Sequence, residues 1–332
     1  MIGDLLNRQL QALGALSPSG GYGRWRAVSG CLFDPVVNDT ILAQRSSMNI
    51  KKTRHKDSRK SGKKKKTKKL RKADTSDKYR LYEQSVQATD FEYEFIDANF
   101  KRIRGRKAKL LREDFCGTAQ MCCEWVRGRA DNQAVGVDLD TEVLAWSREH
   151  HLAALTPEQR ARITLLQDDV RAVKTDPVDI VLAMNFSWQI FEQRDVLRSY
   201  FSSVRDSLVE DGILFVDIFG GYEAYQELEE KTKHKGFTYV WEQASYDPIT
   251  GHMVCHIHFH FNDGSKMKKA FTYEWRLYSL PELQEILLEA GFSKVTVYWQ
   301  GWDENDEPSG IFEPATEGDA DPGWICMVSA EK

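Results

Sequence analysis

No stretch of this 332-residue sequence is long and apolar enough to cross a bilayer, since a spanning helix needs roughly 18 consecutive apolar residues. The first residues lack the basic start and apolar core of a secretory signal. The six cysteines, at positions 31, 116, 122, 123, 255 and 326, form no C-x-x-C pair and have no regular spacing. That excludes a zinc knuckle and a disulfide framework and reads as reduced thiols. Together these absences predict a cytoplasmic protein that makes no use of a membrane.

The net charge is small, −4, but it hides a segregation. Residues 51–72 hold 14 Lys and Arg against one acid, Asp57, a balance of +13, and the rest carries 32 basic and 49 acidic residues, or −17. With almost no apolar residues the basic run cannot bury a core and is expected to be disordered. It suits nucleic-acid phosphates, an acidic protein partner or a nuclear address. No aromatic residues interleave the lysines, so base stacking is not indicated. Met48 directly precedes this run, and residues 1–47, which show no sustained period, are expected to be a dispensable extension. The division predicted is 1–47, a lysine-rich segment over 48–73, and a folded domain over 74–332.

The folded part is organised around Leu110 to Asp140, L-L-R-E-D-F-C-G-T-A-Q-M-C-C-E-W-V-R-G-R-A-D-N-Q-A-V-G-V-D-L-D. An apolar run breaks at Glu113-Asp114-Phe115-Cys116-Gly117. A helix-period stretch follows, with Met121, Cys122, Trp125 and Val126 on one face, and a second apolar run ends in Asp138. This is a strand–turn–helix–strand unit. A dinucleotide site would require G-x-G-x-x-G, whereas here Gly117 stands alone between Phe115 and Ala119. Glu113 and Asp114 put negative charge where a diphosphate would sit and favour a cationic ligand instead. An adenosine joined to an amino acid ammonium suits that turn, and Asp138 at the next strand's end can accept from ribose hydroxyls.

At these residues the chain resembles the class I S-adenosylmethionine-dependent methyltransferases, whose first motif reads acid-x-G-x-G-x-G and often ends C-G-T-G. Glu113 takes the place of the acid, and Cys116, Gly117, Thr118 and Ala119 match the end. Phe115 and Ala119 depart from it. The resemblance implies a Rossmann-like domain over residues 75–330 that binds S-adenosyl-L-methionine and transfers its methyl group to a small-molecule acceptor. It also implies cofactor contacts at Asp138 and Leu139, an acid for the adenine amino group at Asp169 or, second, Asp168, and a fourth motif at Asn185-Phe186-Ser187-Trp188. A D-P-P-Y or N-P-P-Y is absent there, so the usual exocyclic-amine nucleic-acid enzymes are not matched. The helical segment ahead of the first motif supplies candidate pocket residues Tyr79, Tyr82, Gln84 and Gln87; Ser187 and Arg276 complete the set. The alternative is a protein that keeps the fold and cofactor without activity, tethered by its basic run.

Strands at Ile163–Leu166, Val178–Met184 and Ile213–Ile218 extend the alternation, with a helix at Thr141–Ala154 capped by Asp140 or Thr141 and another at Arg194–Leu208 stopped by Gly212. A helix at Leu280–Ala290 and strands at Lys294–Trp299 and Trp324–Ala330 follow, with a loop expected over Gly301–Gly323. The fold class predicted is α/β, a doubly wound seven-stranded mostly parallel sheet with a terminal antiparallel hairpin. Residues 222–278 interrupt it: a helix, Tyr222–Lys233, then three runs of two-residue period, Phe237–Tyr246, His252–Phe261 and Lys266–Leu277. These predict an inserted antiparallel meander, a substrate lid by the resemblance. His252, His256, His258 and His260 share one face of its middle strand, and consecutive same-face positions suit a polar face better than a metal centre. A protein beginning at Asp74 should stay folded and keep its affinity for S-adenosylmethionine. Calorimetric titration checks this, and a folded truncation that no longer binds would contradict it.

Overall fold

The computed structural model describes residues 70–302 and 308–332, so the readings for residues 1–47 and nearly all of 48–73 lie outside the described residues. Helices α1 (Lys78–Val86) and α2 (Thr89–Arg104) precede strand β1 (Leu110–Asp114). Then come α3 (Gln120–Gly128), β2 (Gln133–Asp138), α4 (Thr141–His150), β3 (Ile163–Gln167) and β4 (Val178–Ala183). Helix α5 (Arg194–Asp206) leads to β5 (Leu208–Gly220), and an inserted run of strands follows: β6 (Leu228–His234), β7 (Phe237–Tyr246), β8 (His252–Phe261) and β9 (Lys266–Arg276). Helix α6 (Leu280–Glu289) and strands β10 (Lys294–Trp302), β11 (Pro308–Ala315) and β12 (Trp324–Glu331) complete the order.

The main sheet has eight strands in the order β11-β10-β12-β5-β4-β1-β2-β3. From β3 through β5 all neighbours are parallel, and β12, β10 and β11 each run antiparallel to the strand before them in the sheet. The strand order reverses between β1 and β4, and ligands of such sheets sit beyond the carboxyl ends at that point. Alternation along the strands feeds two helical layers. Ile213 and Phe215 pack with α2 and α3 around Phe95, Phe100 and Trp125. Leu214, Val216 and Ile218 pack with α5 and α6 around Phe201 and Leu283. A core on each face is what near-continuous apolar strands require.

Four sequence readings are corrected here. The sheet has eight strands rather than seven, because β11 pairs with β10 inside what reads as a loop. Its Pro308, Gly310 and Pro314 hide a strand anchored by Phe312, whose ring lies 5.4 Å from that of Phe91. The helix expected over Tyr222–Lys233 is a single 3₁₀ turn, Tyr222–Tyr225, followed by β6, so the inserted sheet has four strands. Exposed Glu229, Lys231 and Lys233 alternate with less exposed Glu230, Thr232 and His234, a two-residue period written almost without apolar residues. Between β3 and β4 the described residues make only a turn where the alternation calls for a helix. Gly212, expected to stop α5, lies inside β5.

Asp114 departs from its expected place as well. It shares a strand face with Arg112, and both side chains are buried, each residue 1% exposed. The guanidinium grips the carboxylate through Nε at 2.8 Å and Nη2 at 3.0 Å, and the Tyr200 hydroxyl donates to it at 2.9 Å. Asp114 therefore adds no free charge to the turn that follows. Arg112→Met should cost about 3–5 kcal/mol by leaving that carboxylate buried and unpaired, read by urea unfolding. Adding Asp114→Leu should restore most of the loss.

Candidate active site

The turn after β1 follows the path of a glycine-rich loop without its glycines. Phe115, Gly117 and Ala119 all adopt left-handed backbone, with φ of 58°, 51° and 55°. For a residue with a Cβ that conformation costs roughly 1–2 kcal/mol, so the surrounding structure must enforce it. The Cys116 amide donates to the Val137 carbonyl at 3.0 Å, and Ala119 N–H closes the turn on the Cys116 carbonyl at 2.7 Å. Gly117 N–H donates to Asp138 Oδ2 at 2.8 Å. A Cβ at Gly117 would meet nothing within 4 Å, so bare backbone faces open space there. Thr118 is buried with an unpartnered hydroxyl.

Glu113 turns away from Asp114, toward α3. Its Oε2 accepts from the Cys122 amide at 3.1 Å and from the Cys122 thiol at 3.0 Å. Burial pushes its carboxyl up to about 7, the Asp138 and Asp114 charges adding and the Cys122 bonds opposing. Burial also pushes the Cys116 thiol well up.

At the end of β2, Asp138 accepts a second bond, from Asp140 N–H at 2.9 Å. Asp140 is the cap of α4, accepting from Glu142 N–H at 2.8 Å and Val143 N–H at 3.4 Å. Leu139 between them is 64% exposed. At the end of β3, Asp168 N–H donates to the Asp138 carbonyl at 3.2 Å, and among the described residues its exposed carboxylate accepts only from Asp169 N–H. Asp169 is committed instead to Arg171, taking its amide at 2.9 Å and its Nε at 3.0 Å. That pair holds the Asp169 carboxyl below its usual value.

Beyond β4 a second left-handed turn appears, Asn185 and Phe186 with φ of 58° and 57°. Both amides donate at 2.9 Å to Asp217 of β5, whose carbonyl takes the Trp188 indole N–H at 2.8 Å. The Ser187 hydroxyl is spent on the Met184 carbonyl at 2.8 Å. Burial pushes Asp217 up to about 7 in spite of the two amides. Glu92 of α2 is 9% exposed and, among the described residues, has neither a hydrogen bond nor an ion pair. Burial, then Glu113 and Asp217, push it up to about 8. Sequence reasoning missed both residues. The available signals were Glu92 one helical turn before core residues Phe95 and Ile96, and a lone acid in the apolar run of β5.

The helical segment ahead of β1 divides in two. The Tyr79 ring lies 5.4 Å from Trp146, and its buried hydroxyl has no partner. Burial and then Asp140, Glu142, Asp77 and Asp138 push it up to about 12, which sets it beside the end of β2. The Tyr82 ring lies 4.9 Å from that of Phe271, tilted against it, and Tyr82 and Tyr273 pack against the same apolar cluster. Gln87 Oε1 is buried without a partner. Gln84 is exposed. Arg276 does not join this group: its guanidinium donates to Glu282 at 2.8 Å and to the Glu192 carbonyl at 3.2 Å, and it covers the Tyr278 ring. Among the described residues no group of three or more metal-ligating side chains forms; His258 bonds Glu242 at 2.8 Å and His256 bonds Thr272 at 3.0 Å.

No family model matches the chain. A curated protein of Geobacillus sp. (strain WCH70), named "Putative methyltransferase", is 23% identical over 211 residues, 61% of this chain and 81% of its own length. An S-adenosylmethionine-dependent methyltransferase of Clostridium acetobutylicum ATCC 824 superposes with a TM-score of 0.56 at 15% identity, over 76% of this chain and 96% of that one. An amino pentose methyltransferase of Micromonospora echinaspora with bound S-adenosylmethionine gives 0.54 at 13%, over 76% and 96%. A sugar N-methyltransferase of Streptoalloteichus sp. ATCC 53650 gives 0.52 at 16%, over 76% and 92%.

The chain has the class I methyltransferase fold. In this methyltransferase fold the turns after β1, β2, β3 and β4 gather at one edge of the sheet, and Glu92, Glu113 and Asp217 lie buried beneath them. Each of these acids binds its proton more tightly folded, at about 7 to 8, than unfolded, near 4. Their contribution to stability is therefore full in acid and lost as pH rises through 7 to 8. The melting temperature of the ligand-free protein should fall between pH 6 and 8.5, and Glu92→Gln should flatten part of that fall in a calorimetric scan.

Proposed function

We propose that the chain is an S-adenosylmethionine-dependent methyltransferase acting on a small-molecule acceptor. The observation that carries this reading is the left-handed turn at Phe115, Gly117 and Ala119, bound to Asp138 at the point where the strand order reverses. Strained backbone of this kind persists where the surroundings over-determine it, and it clusters at ligand sites. The residues fit the cofactor on physical grounds. Glu113 and Asp138 have no cationic partner among the described residues and suit a ligand of net positive charge. The open backbone at Gly117 and the orphaned Thr118 hydroxyl are ready for a polar ligand.

In this reading Gly117 and Thr118 hold the amino acid moiety, with Glu113 and Cys116 shaping the turn. Asp138 takes the ribose and exposed Leu139 the adenine face. Asp168 rather than Asp169 takes the adenine amino group, because Arg171 already occupies Asp169. Asn185 borders the reacting end. When bound, the cofactor supplies a methyl group activated by a sulfonium. The protein's own part is to orient the acceptor and exclude water, and proximity of this kind lowers barriers by several kcal/mol. The inserted sheet over 222–278 acts as the lid, with Tyr79, Tyr82 and Gln87 on the acceptor side. The sugar and amino pentose methyltransferases among the solved neighbours support a small acceptor.

Calorimetric titration with S-adenosylmethionine and S-adenosylhomocysteine tests the reading, and a folded protein that binds neither at millimolar concentration would sink it. Asp138→Ala should weaken binding at least ~10-fold, since bonds to a charged group are each worth roughly 1.5–3 kcal/mol. Asp140→Ala should cost about 1 kcal/mol of stability as a lost helix cap and leave affinity unchanged.

A further inference from the structure

We propose, resting on the cofactor reading, that the methyl acceptor carries an ammonium group, separate from the nucleophilic atom that takes the methyl, and that this ammonium pairs with Glu92 beside aromatic rings of the inserted sheet. The charge balance points this way first. Among the described residues the charges bearing on Glu92 are those of Glu113 and Asp217, and no cation bears on Asp217. With Asp138 this makes four carboxylates around one edge of the sheet. S-adenosylmethionine carries a sulfonium, an ammonium and a carboxylate, so it offsets only one net charge. Glu113 is bound to the Cys122 amide of α3, Asp138 to the Gly117 amide, and Asp217 to those of Asn185 and Phe186. Among the described residues Glu92 is left with no hydrogen bond or ion pair.

Glu92 bears on Tyr82, and Tyr82 packs into one apolar cluster with Phe186, Tyr239, Tyr273 and Trp275. Tyr82 lies within the electrostatic reach of Glu92, Asp217 and Tyr273. Phe186, whose amide is on Asp217, has its ring 6.2 Å from Trp275, which stacks 4.6 Å from Tyr273. Ring faces attract cations, most strongly where water is excluded. A second, independent sign of a ligand is Tyr239. It is 1% exposed, its hydroxyl has no partner, and it lies beside Tyr82 and Tyr273. A buried hydroxyl left unbonded is costly, and a polar group on the acceptor would satisfy it. An anionic acceptor would be repelled by the acids, and a neutral one would leave Glu92 unmatched.

Choline and its uncharged isostere 3,3-dimethyl-1-butanol test this by calorimetry, with and without S-adenosylhomocysteine. Choline should bind at least ~10-fold more tightly than the isostere, the range expected for a desolvated cation over aromatic faces. Its affinity should rise with pH through about 8, because the cation favours ionised Glu92 and the displaced proton goes to solvent; Glu113, Asp217, Tyr82 and Tyr273 also bear on this site and share the titration. Glu92→Gln should remove the preference and most of the pH slope while S-adenosylhomocysteine affinity holds and the melting temperature at pH 8 is no lower than that of the unmodified protein. Tyr239→Phe should weaken choline without altering its preference over the isostere. Equal affinities for the two probes overturn the proposal, as does a Glu92→Gln protein that loses S-adenosylhomocysteine binding, since Glu92 would then serve the cofactor. Failure of the unmodified protein to bind S-adenosylhomocysteine strikes the cofactor reading instead, and the choline preference measured without it is judged separately.

Discussion

Two turns in unfavourable backbone conformations, each tied down by a carboxylate from the neighbouring strand, set the geometry of the candidate site at the carboxyl edge of the sheet. Asp138 of β2 holds Gly117 beyond β1, and Asp217 of β5 holds Asn185 and Phe186 beyond β4. The strands concerned are adjacent in the sheet, so register alone brings each acid under its turn. Amide-to-carboxylate bonds of this kind are stronger than neutral ones, and they offset the strain of the left-handed residues. The same acids then face inward with little water, which raises their affinity for protons and for cations alike. Architecture and electrostatics at this edge thus share one cause.

Much of the frame was legible because it is written locally. Apolar runs punctuated by Gly117 and by Asp138 and Asp140 announce strand ends and a helix cap. The period-two runs of the insertion announce β7, β8 and β9. A cap at Asp140 or Thr141 follows from short polar side chains before a helical pattern, and the structure gives that role to Asp140. The coincidence of the turns at one sheet edge follows from parallel strand order alone.

What escaped the sequence is written non-locally. Phe115 and Ala119 argue against a glycine-like path until the surrounding bonds are seen to impose it. Glu113 and Asp114 look alike as neighbours in a turn, yet strand alternation sends one to α3 and the other to Arg112 and Tyr200. Glu92 and Asp217 sit on faces that apolar neighbours mark as buried, where a charge is expected only with a partner. Strands β6 and β11 carry too few apolar residues to show a period, and only pairing with β7 and β10 reveals them.

The eighth strand has a consequence for how the molecule keeps to itself. Without it the sheet would end at β10, whose V-T-V-Y-W run would offer unpaired amides to any passing extended chain. With β11 in place the outer row belongs to a segment bearing Pro308 and Pro314, two residues that have no N–H to give. Prolines at an edge blunt strand addition. The segment that reads as a mere loop is thereby a guard against amyloid-like stacking of one molecule on the next.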